Sequence, residues 1–478
     1  MSRLLGEEYP AFTAALAEPP VHGLRVNTLK IGVEGFRRIS PFPLGEGVPW
    51  CTAGFDLTPG PSPERRVESI PGKHLYHLAG LYYLQDPSAM SAAELLGPRP
   101  GERVLDLAAS PGGKTTHLAS LMEGRGLLVA NEIKTSRLAP LVVNLERWGA
   151  ANVVVTNATP ERLADHFGAA FDRVLVDAPC SGEGTFRRDP AARRDWSVQA
   201  VADYTAKQLA ILRVAAHLVR PGGYLLYSTC TFAPEEDEGT IARFLDEHPE
   251  FEVLPLTPQP GFMLGRPEWL GLTSENAEPA ERNKKISAIS AGSVVMESLR
   301  GAVRLLPHRV EGDGHFVCLL QRNGGETSDR SIQWNPEALT PGLETLWRAF
   351  REEHLAVDFP PERLRLQGER LYLVPEGVPE MRGLRAAMPG IWLGTFKKDR
   401  FEPAHALALH LHRDQAHNVL DLPADGREIA AYLRGESLPS EGVPGWVLVC
   451  ADGFPLGWGK RVQGVVKNHY PRGWVIAS

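Results

Sequence analysis

Cysteine is scarce in this chain of 478 residues. The five cysteines, Cys51, Cys180, Cys230, Cys318 and Cys450, are scattered, odd in number and never in Cys-x-x-Cys spacing. That pattern disfavours a disulfide framework and a zinc knuckle, and no metal is expected. Long apolar runs are also missing, so no segment reads as a membrane-spanning helix. The first twenty residues lack the basic-then-apolar layout of a secretory signal, and a cytoplasmic protein is expected. Positive charge is not in excess, the formal net charge being −7. This excludes little, because phosphate binding needs only a local basic surface. No internal repeat and no low-complexity tract is present.

What is present describes a globular protein of several domains. The apolar share of 43% and charged share of 23% are ordinary, and the length exceeds one compact core. Residues 1–78 read as a small N-terminal domain that binds RNA. Leu24–Leu29 reads as a strand with a basic member, and Arg25, Arg65 and Arg66 stand either for phosphate contacts or for a solvated face. Residues 79–322 alternate strand and helix. Strands are expected at 104–107, 126–132, 152–156, 171–177 and 224–228, with final strands near 251–256 and 315–320. Helices are expected at 88–96, 115–122, 134–149, 198–219 and 235–248. Such alternation implies an α/β fold with a mostly parallel sheet and helices on both faces. Residues 323–335 read as a linker. Residues 336–478 read as a β-rich extension of one or two modules, divided near 402/403.

Two loops at strand ends carry the chemistry. Asp106 to Thr115 lies between the first strand and first helix of the alternation, where a glycine-rich turn lets a ligand approach the backbone. A P-loop would need Gly at Ala108, and a dinucleotide fingerprint would need Gly-x-Gly-x-x-Gly. The remaining reading is the first loop of an S-adenosyl-L-methionine site, with Glu132 ending the next strand to accept the ribose hydroxyls. Lys114 either neutralises the donor's carboxylate or begins the helix, and Arg137 stands near Glu132. No carboxylate directly follows Thr156, so the usual acidic contact to the adenine amine is missing or replaced.

Val176-Asp177-Ala178-Pro179-Cys180 and Tyr227-Ser228-Thr229-Cys230 close two strands at the same sheet edge. Methylation of cytosine carbon-5 explains such a pair. A thiolate adding to carbon-6 turns carbon-5 into an enamine-like nucleophile. The reaction also needs a group at ring nitrogen-3 and a base for the carbon-5 proton. Cys230 is assigned as nucleophile, Asp177 as the group at nitrogen-3, and Cys180 to the release step. The target base must leave its stack to reach them.

The segments Asp177 to Gly184 and Tyr227 to Thr231 resemble the two cysteine motifs of the Nop/Sun family of RNA cytosine-5 methyltransferases. Tyr83 to Ser88, Pro307-His308-Arg309 and Gly312 to Phe316 are similar to further segments of that family. The resemblance implies a Rossmann-like methyltransferase sheet, with the Thr-Cys cysteine, Cys230, as nucleophile and the Pro-Cys cysteine, Cys180, aiding release. It puts the donor contacts on Ala108, Ala109, Ser110, Pro111, Gly112, Gly113, Lys114, Glu132 and Asp177. Lys397 to Pro403 and Gly453 to Lys460 resemble the PUA-like RNA-binding extension of the family's bacterial small-subunit ribosomal RNA methyltransferase F branch. That implies 16S ribosomal RNA, free or within the 30S subunit, as partner, and a monomeric protein.

RNA is expected to meet Arg187, Arg188, Arg193 and Arg194, which follow the Cys180 loop. A second expected surface is Lys460, Arg461, Lys467, His469 and Arg472, interleaved with Phe454, Trp458, Tyr470 and Trp474, which either stack on bases or fill a core. A transfer RNA substrate, a non-catalytic ribosome-assembly factor on the same fold, and a thiol redox protein remain alternatives.

Overall fold

The structure is a computed structural model and describes residues 1–57, 71–273, 293–325 and 339–474. Arg65, Arg66, most of the expected linker, Val475 and Ile476 lie outside these residues. No helix among the described residues is long and apolar enough to cross a membrane.

Strands β1 (Gly23–Val26), β2 (Gly54–Asp56) and β3 (Tyr82–Leu84) form an antiparallel N-terminal sheet in the order β2-β1-β3. The central sheet follows. Its parallel strands are β4 (Arg103–Asp106), β5 (Leu127–Asn131), β6 (Val153–Thr156), β7 (Phe171–Asp177) and β8 (Val219–Thr229). Strands β9 (Phe251–Leu254), β10 (Met263–Leu264), β11 (Val303–Leu305) and β12 (His315–Arg322) lie beyond β8, with β12 antiparallel to it. From that edge the order is β10-β11-β12-β8-β7-β4-β5-β6, with β9 also on β12. Strands β5 and β6 are buried along their whole length. Burial on both faces is why the central strands read as unbroken apolar runs.

The chain steps outward from β4 to β5 and β6, then returns to the other flank of β4 as β7 and β8. The reversal creates a switch point between β4 and β7, beyond whose carboxyl ends a ligand crevice opens. Both candidate loops, 107–112 and 178–182, leave the sheet there.

Three local features differ from the sequence reading. The fifth strand begins at Val219, five residues early, because Pro221-Gly222-Gly223 forms a bulge inside β8 rather than a turn before it. Its pairing with β7 jumps from Phe171–Val219 to Arg173–Tyr224. The helix expected to reach Val219 therefore ends at Ala216. The helix Pro160–Phe167 was not foreseen, although its start carries a local signal. Thr159 caps it, accepting the Arg162 N–H at 3.4 Å, and proline takes the first turn.

The extension contains the helix Pro341–His354 and two further sheets. Strands β13 (Leu364–Gln367), β14 (Arg370–Leu373), β15 (Ala386–Met388), β16 (Ile391–Phe396) and β17 (Phe401–Pro403) come first. Of these, β13-β14-β16-β17 form one sheet. Strands β18 (Val419–Leu422), β19 (Leu438–Pro439), β20 (Gly445–Ala451), β21 (Phe454–Val462) and β22 (Val465–Asn468) form the other, in the order β18-β20-β21-β22-β19. Trp474 ends a 3₁₀ turn. Strand β15 joins neither sheet. It pairs antiparallel with β6 and becomes an edge of the central sheet. The Asn157 N–H donates to the Arg385 carbonyl at 2.9 Å and the Arg162 guanidinium to the Gly383 carbonyl at 2.5 Å.

Arg25 is neither a phosphate contact nor a solvated charge. It is fully buried and donates to Gln85 Oε1 at 3.0 Å, the Gly113 carbonyl at 3.1 Å and Thr116 Oγ1 at 2.7 Å. Its guanidinium lies 4.7 Å from the Trp148 ring centroid. The N-terminal sheet thereby grips the first turn of the helix that follows the donor loop. Arg25→Met leaves buried Gln85 Oε1 without a donor, at a cost of about 1–3 kcal/mol. The expected outcome is a lower urea midpoint of unfolding, checked by circular dichroism.

Candidate active site

The parallel pairing of β7 and β8 sets Asp177 opposite Ser228. A short loop after each strand then brings Cys180 Sγ within 3.3 Å of Cys230 Sγ. Both thiols line one cleft of about 840 Å³ that also takes in Leu107, Glu132 and Asp177. Gly184 makes the approach of the two loops possible. Its N–H donates to the Cys230 carbonyl at 2.9 Å, and a Cβ there would lie 2.8 Å from the Asp313 carbonyl oxygen. Glu236 ties the same loops together, accepting from the Ser181 N–H at 3.0 Å and Gln208 Nε2 at 2.8 Å. The hydrogen bond to Cys230 and burial push the Cys180 thiol well above its ordinary range.

The Cys230 loop stands on a buried ionic cluster that the sequence reading did not find. Thr229 donates to Asp237 at 2.6 Å, and Arg304 pairs with Asp237 at 2.9 Å and with Glu238. Arg304 is only 1% exposed and packs against the Trp269 and Phe316 rings. Arg304→Met leaves two buried carboxylates uncompensated, at a cost of about 3–5 kcal/mol. A fall of several degrees in the melting temperature checks this.

Asp177 was expected to face nitrogen-3 of the base. Its carboxylate accepts from Lys114 Nζ at 2.7 Å and from Ser228 Oγ at 2.8 Å. Burial pushes its pKa up, but Lys114, His315 and Ser228 outweigh that and hold it below the usual range. Burial likewise opposes the Lys114 charge, and Asp177 overcomes it, leaving the ammonium above its ordinary value. Asp177 is thus an acceptor in this structure, and the proton-bearing member of the pair is Lys114. Lys114 points at Asp177 rather than merely beginning a helix.

The donor loop 108–113 is held open by its glycines and by two anchors. Gly112 adopts φ +109°, a left-handed conformation that favours glycine, at the start of the helix Gly113–Leu121. Asp106 accepts from Thr115 Oγ1 at 2.7 Å, while its Oδ1 is buried without a partner. Burial raises this carboxyl to about 7. An acid ending the first strand is the signal in the sequence for this residue. Arg137 belongs to the site as well, donating to the Ser110 carbonyl at 2.6 Å and lying 3.6 Å from Glu132 Oε2. Glu132 is 3% exposed and accepts the Lys134 N–H at 2.8 Å, which leaves lone pairs for further donors.

These residues fit S-adenosyl-L-methionine. An orphaned acceptor at Asp106 suits an ammonium group, and a carboxylate at Glu132 suits a pair of ribose hydroxyls. Where an acid after the third strand is missing, Asn157 has another task. Its side-chain amide donates to the Glu132 carbonyl at 2.7 Å and the Ile133 carbonyl at 3.0 Å, and its oxygen accepts from Arg385 at 3.3 Å. It links the donor side of the cleft to β15.

Several expected RNA contacts are structural instead. Arg187 is 2% exposed at its side chain, pairs with Asp313 at 3.4 Å and donates to the Gly312 carbonyl. Arg188 pairs with Asp86 at 3.0 Å and with Asp313. Arg193 and Arg194 are exposed, as is Arg188 despite its two ion pairs. In the extension, Trp458 and Tyr470 are core, and buried Arg461 donates to Asn418 at 2.7 Å. Lys467, His469 and Arg472 remain at the surface.

Comparison with known proteins accords with this geometry. Residues 93–321 match the family model described as 16S rRNA methyltransferase RsmB/F. Residues 1–87 match the N-terminal domain of 16S rRNA methyltransferase RsmF, residues 349–411 the first C-terminal domain of RsmF rRNA methyltransferase, and residues 419–476 the methyltransferase RsmF PUA domain. A ribosomal RNA small subunit methyltransferase F from Shewanella oneidensis is 30% identical over 98% of this chain and 95% of its own length. One from Aeromonas hydrophila is 33% identical over 96% of this chain and 92% of its own length. The crystal structure of a methyltransferase homolog protein from Pyrococcus horikoshii is 31% identical, with a TM-score of 0.52, over 66% of this chain and 91% of that one.

Proposed function

Because the chain belongs to the 16S rRNA methyltransferase RsmB/F family, we propose that it methylates carbon-5 of cytosine in small-subunit ribosomal RNA by way of a covalent bond from Cys230. The observation that carries this reading is the pair of thiols 3.3 Å apart at the end of a cleft that also takes in Asp177 and Glu132, with Lys114 bonded to Asp177. S-adenosyl-L-methionine, held by the 108–114 loop, Asp106 and Glu132, supplies an electrophilic methyl group.

The residues divide the remaining work. The Cys230 thiolate bonds to carbon-6, and the electron pair of the carbon-5–carbon-6 double bond becomes available at carbon-5. The Lys114 ammonium donates to the ring side that gains charge, and the Asp177 carboxylate accepts from the exocyclic amine. After methylation, carbon-5 must lose its proton and the carbon-6–sulfur bond must break. Cys180 is suited to take that proton. Its sulfur lies 3.3 Å from that of Cys230 and so close to the carbon-6 bond that Cys230 forms. The proton leaves to Cys180, the electrons re-form the double bond, and Cys230 departs as thiolate.

Incubation of the full chain with S-adenosyl-L-methionine and small-subunit RNA tests this reading, with 5-methylcytosine as the expected product. No methylated cytosine in any small-subunit RNA, free or assembled, would reject it. Glu132→Gln removes a charged acceptor for the ribose and is expected to raise the Kd for S-adenosyl-L-methionine about tenfold or more. Titration calorimetry checks this.

A further inference from the structure

Trp148, Trp269, Trp347, Trp446 and Trp458 are at most 6% exposed, as core tryptophans are. Trp196 is 39% exposed, and it lines the same cleft as Cys180 and Cys230. A large ring left in water at the lip of a cleft costs hydrophobic free energy unless something covers it in use.

The ring lies beside Glu183, whose carboxylate accepts the Phe232 N–H at 3.0 Å and Thr231 Oγ1 at 3.3 Å. Trp196 is therefore set next to the segment that follows Cys230. It closes the turn between the helices Pro190–Asp195 and Val198–Ala216, where Ser197 caps the second helix by accepting the Ala200 N–H at 3.0 Å. Arg193 and Arg194 stand three and two residues before it and are exposed, with exposed Asp195 between them and the ring, while Asp189 is engaged in capping the first helix. An exposed aromatic face near two exposed guanidinium groups suits a base and its phosphates.

We propose that Trp196 is the platform on which a base neighbouring the target cytosine stacks, with Arg193 and Arg194 on the adjoining phosphates. This rests on the RNA methyltransferase reading above. A flipped cytosine leaves its neighbours with one stacking partner lost, and the indole replaces it. Stacking of this kind is tolerant of base identity, so Trp196 contributes affinity and position rather than sequence choice.

The test is a cycle between the side chain and the base. Full-length wild type, Trp196→Ala and Trp196→Phe are titrated with fluorescein-labelled, cytosine-containing single-stranded RNA in which an abasic residue is moved along the strand. Trp196→Ala is expected to weaken binding of intact RNA about tenfold, and Trp196→Phe to restore most of it, since phenylalanine also stacks. One abasic position should cost the wild type about tenfold and cost Trp196→Ala nothing further. The affinity for S-adenosyl-L-methionine should match in all three proteins. If every abasic position costs wild type and Trp196→Ala equally, or if Trp196→Phe is as impaired as Trp196→Ala, the platform is refuted. A wild type that binds in the predicted pattern but methylates no RNA would refute the enzymatic reading and not this one.

Discussion

Cys230→Ala is expected to abolish methyl transfer, with a loss on the order of 10⁴-fold or more, as for removal of other covalent nucleophiles. The cause is chemical rather than structural. Carbon-5 of cytosine is too weak a nucleophile to take a methyl group until a thiolate has added at carbon-6. Cys51, Cys318 and Cys450 cannot substitute, being buried away from the cleft with thiols pushed far above their ordinary range by burial. Because Cys230 follows the strand rather than lying in it, alanine should leave the fold and the affinity for S-adenosyl-L-methionine intact. Calorimetry beside the activity assay separates a lost nucleophile from a damaged site. Residual transfer within tenfold of wild type would mean that carbon-6 addition is not the route.

Cys180→Ala has the opposite signature. Cys230 still adds and the methyl group still transfers, but the group poised 3.3 Å from the attacking sulfur is gone. The adduct then cannot lose its carbon-5 proton, and the carbon–sulfur bond stays closed. The expected outcome is a protein–RNA species that survives denaturation, accumulates toward one RNA per protein and collapses on ribonuclease treatment. Denaturing gel electrophoresis reads it directly. It should be absent from the double variant lacking both thiols. A Cys180→Ala protein that turns over normally with no retained RNA would assign proton removal to another group.

Much of this site is legible along the chain because its key residues sit at strand ends. Asp177 and Cys180 close β7, and Ser228 and Cys230 close β8. Two parallel neighbours bring their ends together, so those motifs meet without any long-range information. Glu132 at the end of β5 follows the same logic. The residues that could not be read are those whose roles depend on partners far away in the chain. Arg187 and Arg188 look like a phosphate clamp until Asp313 neutralises them. Arg25 looks exposed until Gly113 and Thr116 fold over it. Lys114 lies in the donor loop, but its partner Asp177 comes from the next βα unit but two. β15 is the clearest case. A three-residue Ala-Ala-Met segment has no strand periodicity, and only the free edge of β6 makes it a strand. The domain boundaries expected at 78, 322 and 402 remain proposals on the same footing, and β15 shows that the extension is not separate from the central sheet.

The most direct measurement replaces the target cytosine with 5-fluorocytosine. Fluorine cannot leave carbon-5 as a proton does, so the adduct formed by the wild-type protein with S-adenosyl-L-methionine should be trapped even with Cys180 present. Digestion and mass spectrometry should then find a methylated fluorocytidine on the peptide containing Cys230 and on no other. A nucleotide attached to Cys180 instead, or no attachment while ordinary cytosine in the same RNA is methylated, would contradict the account.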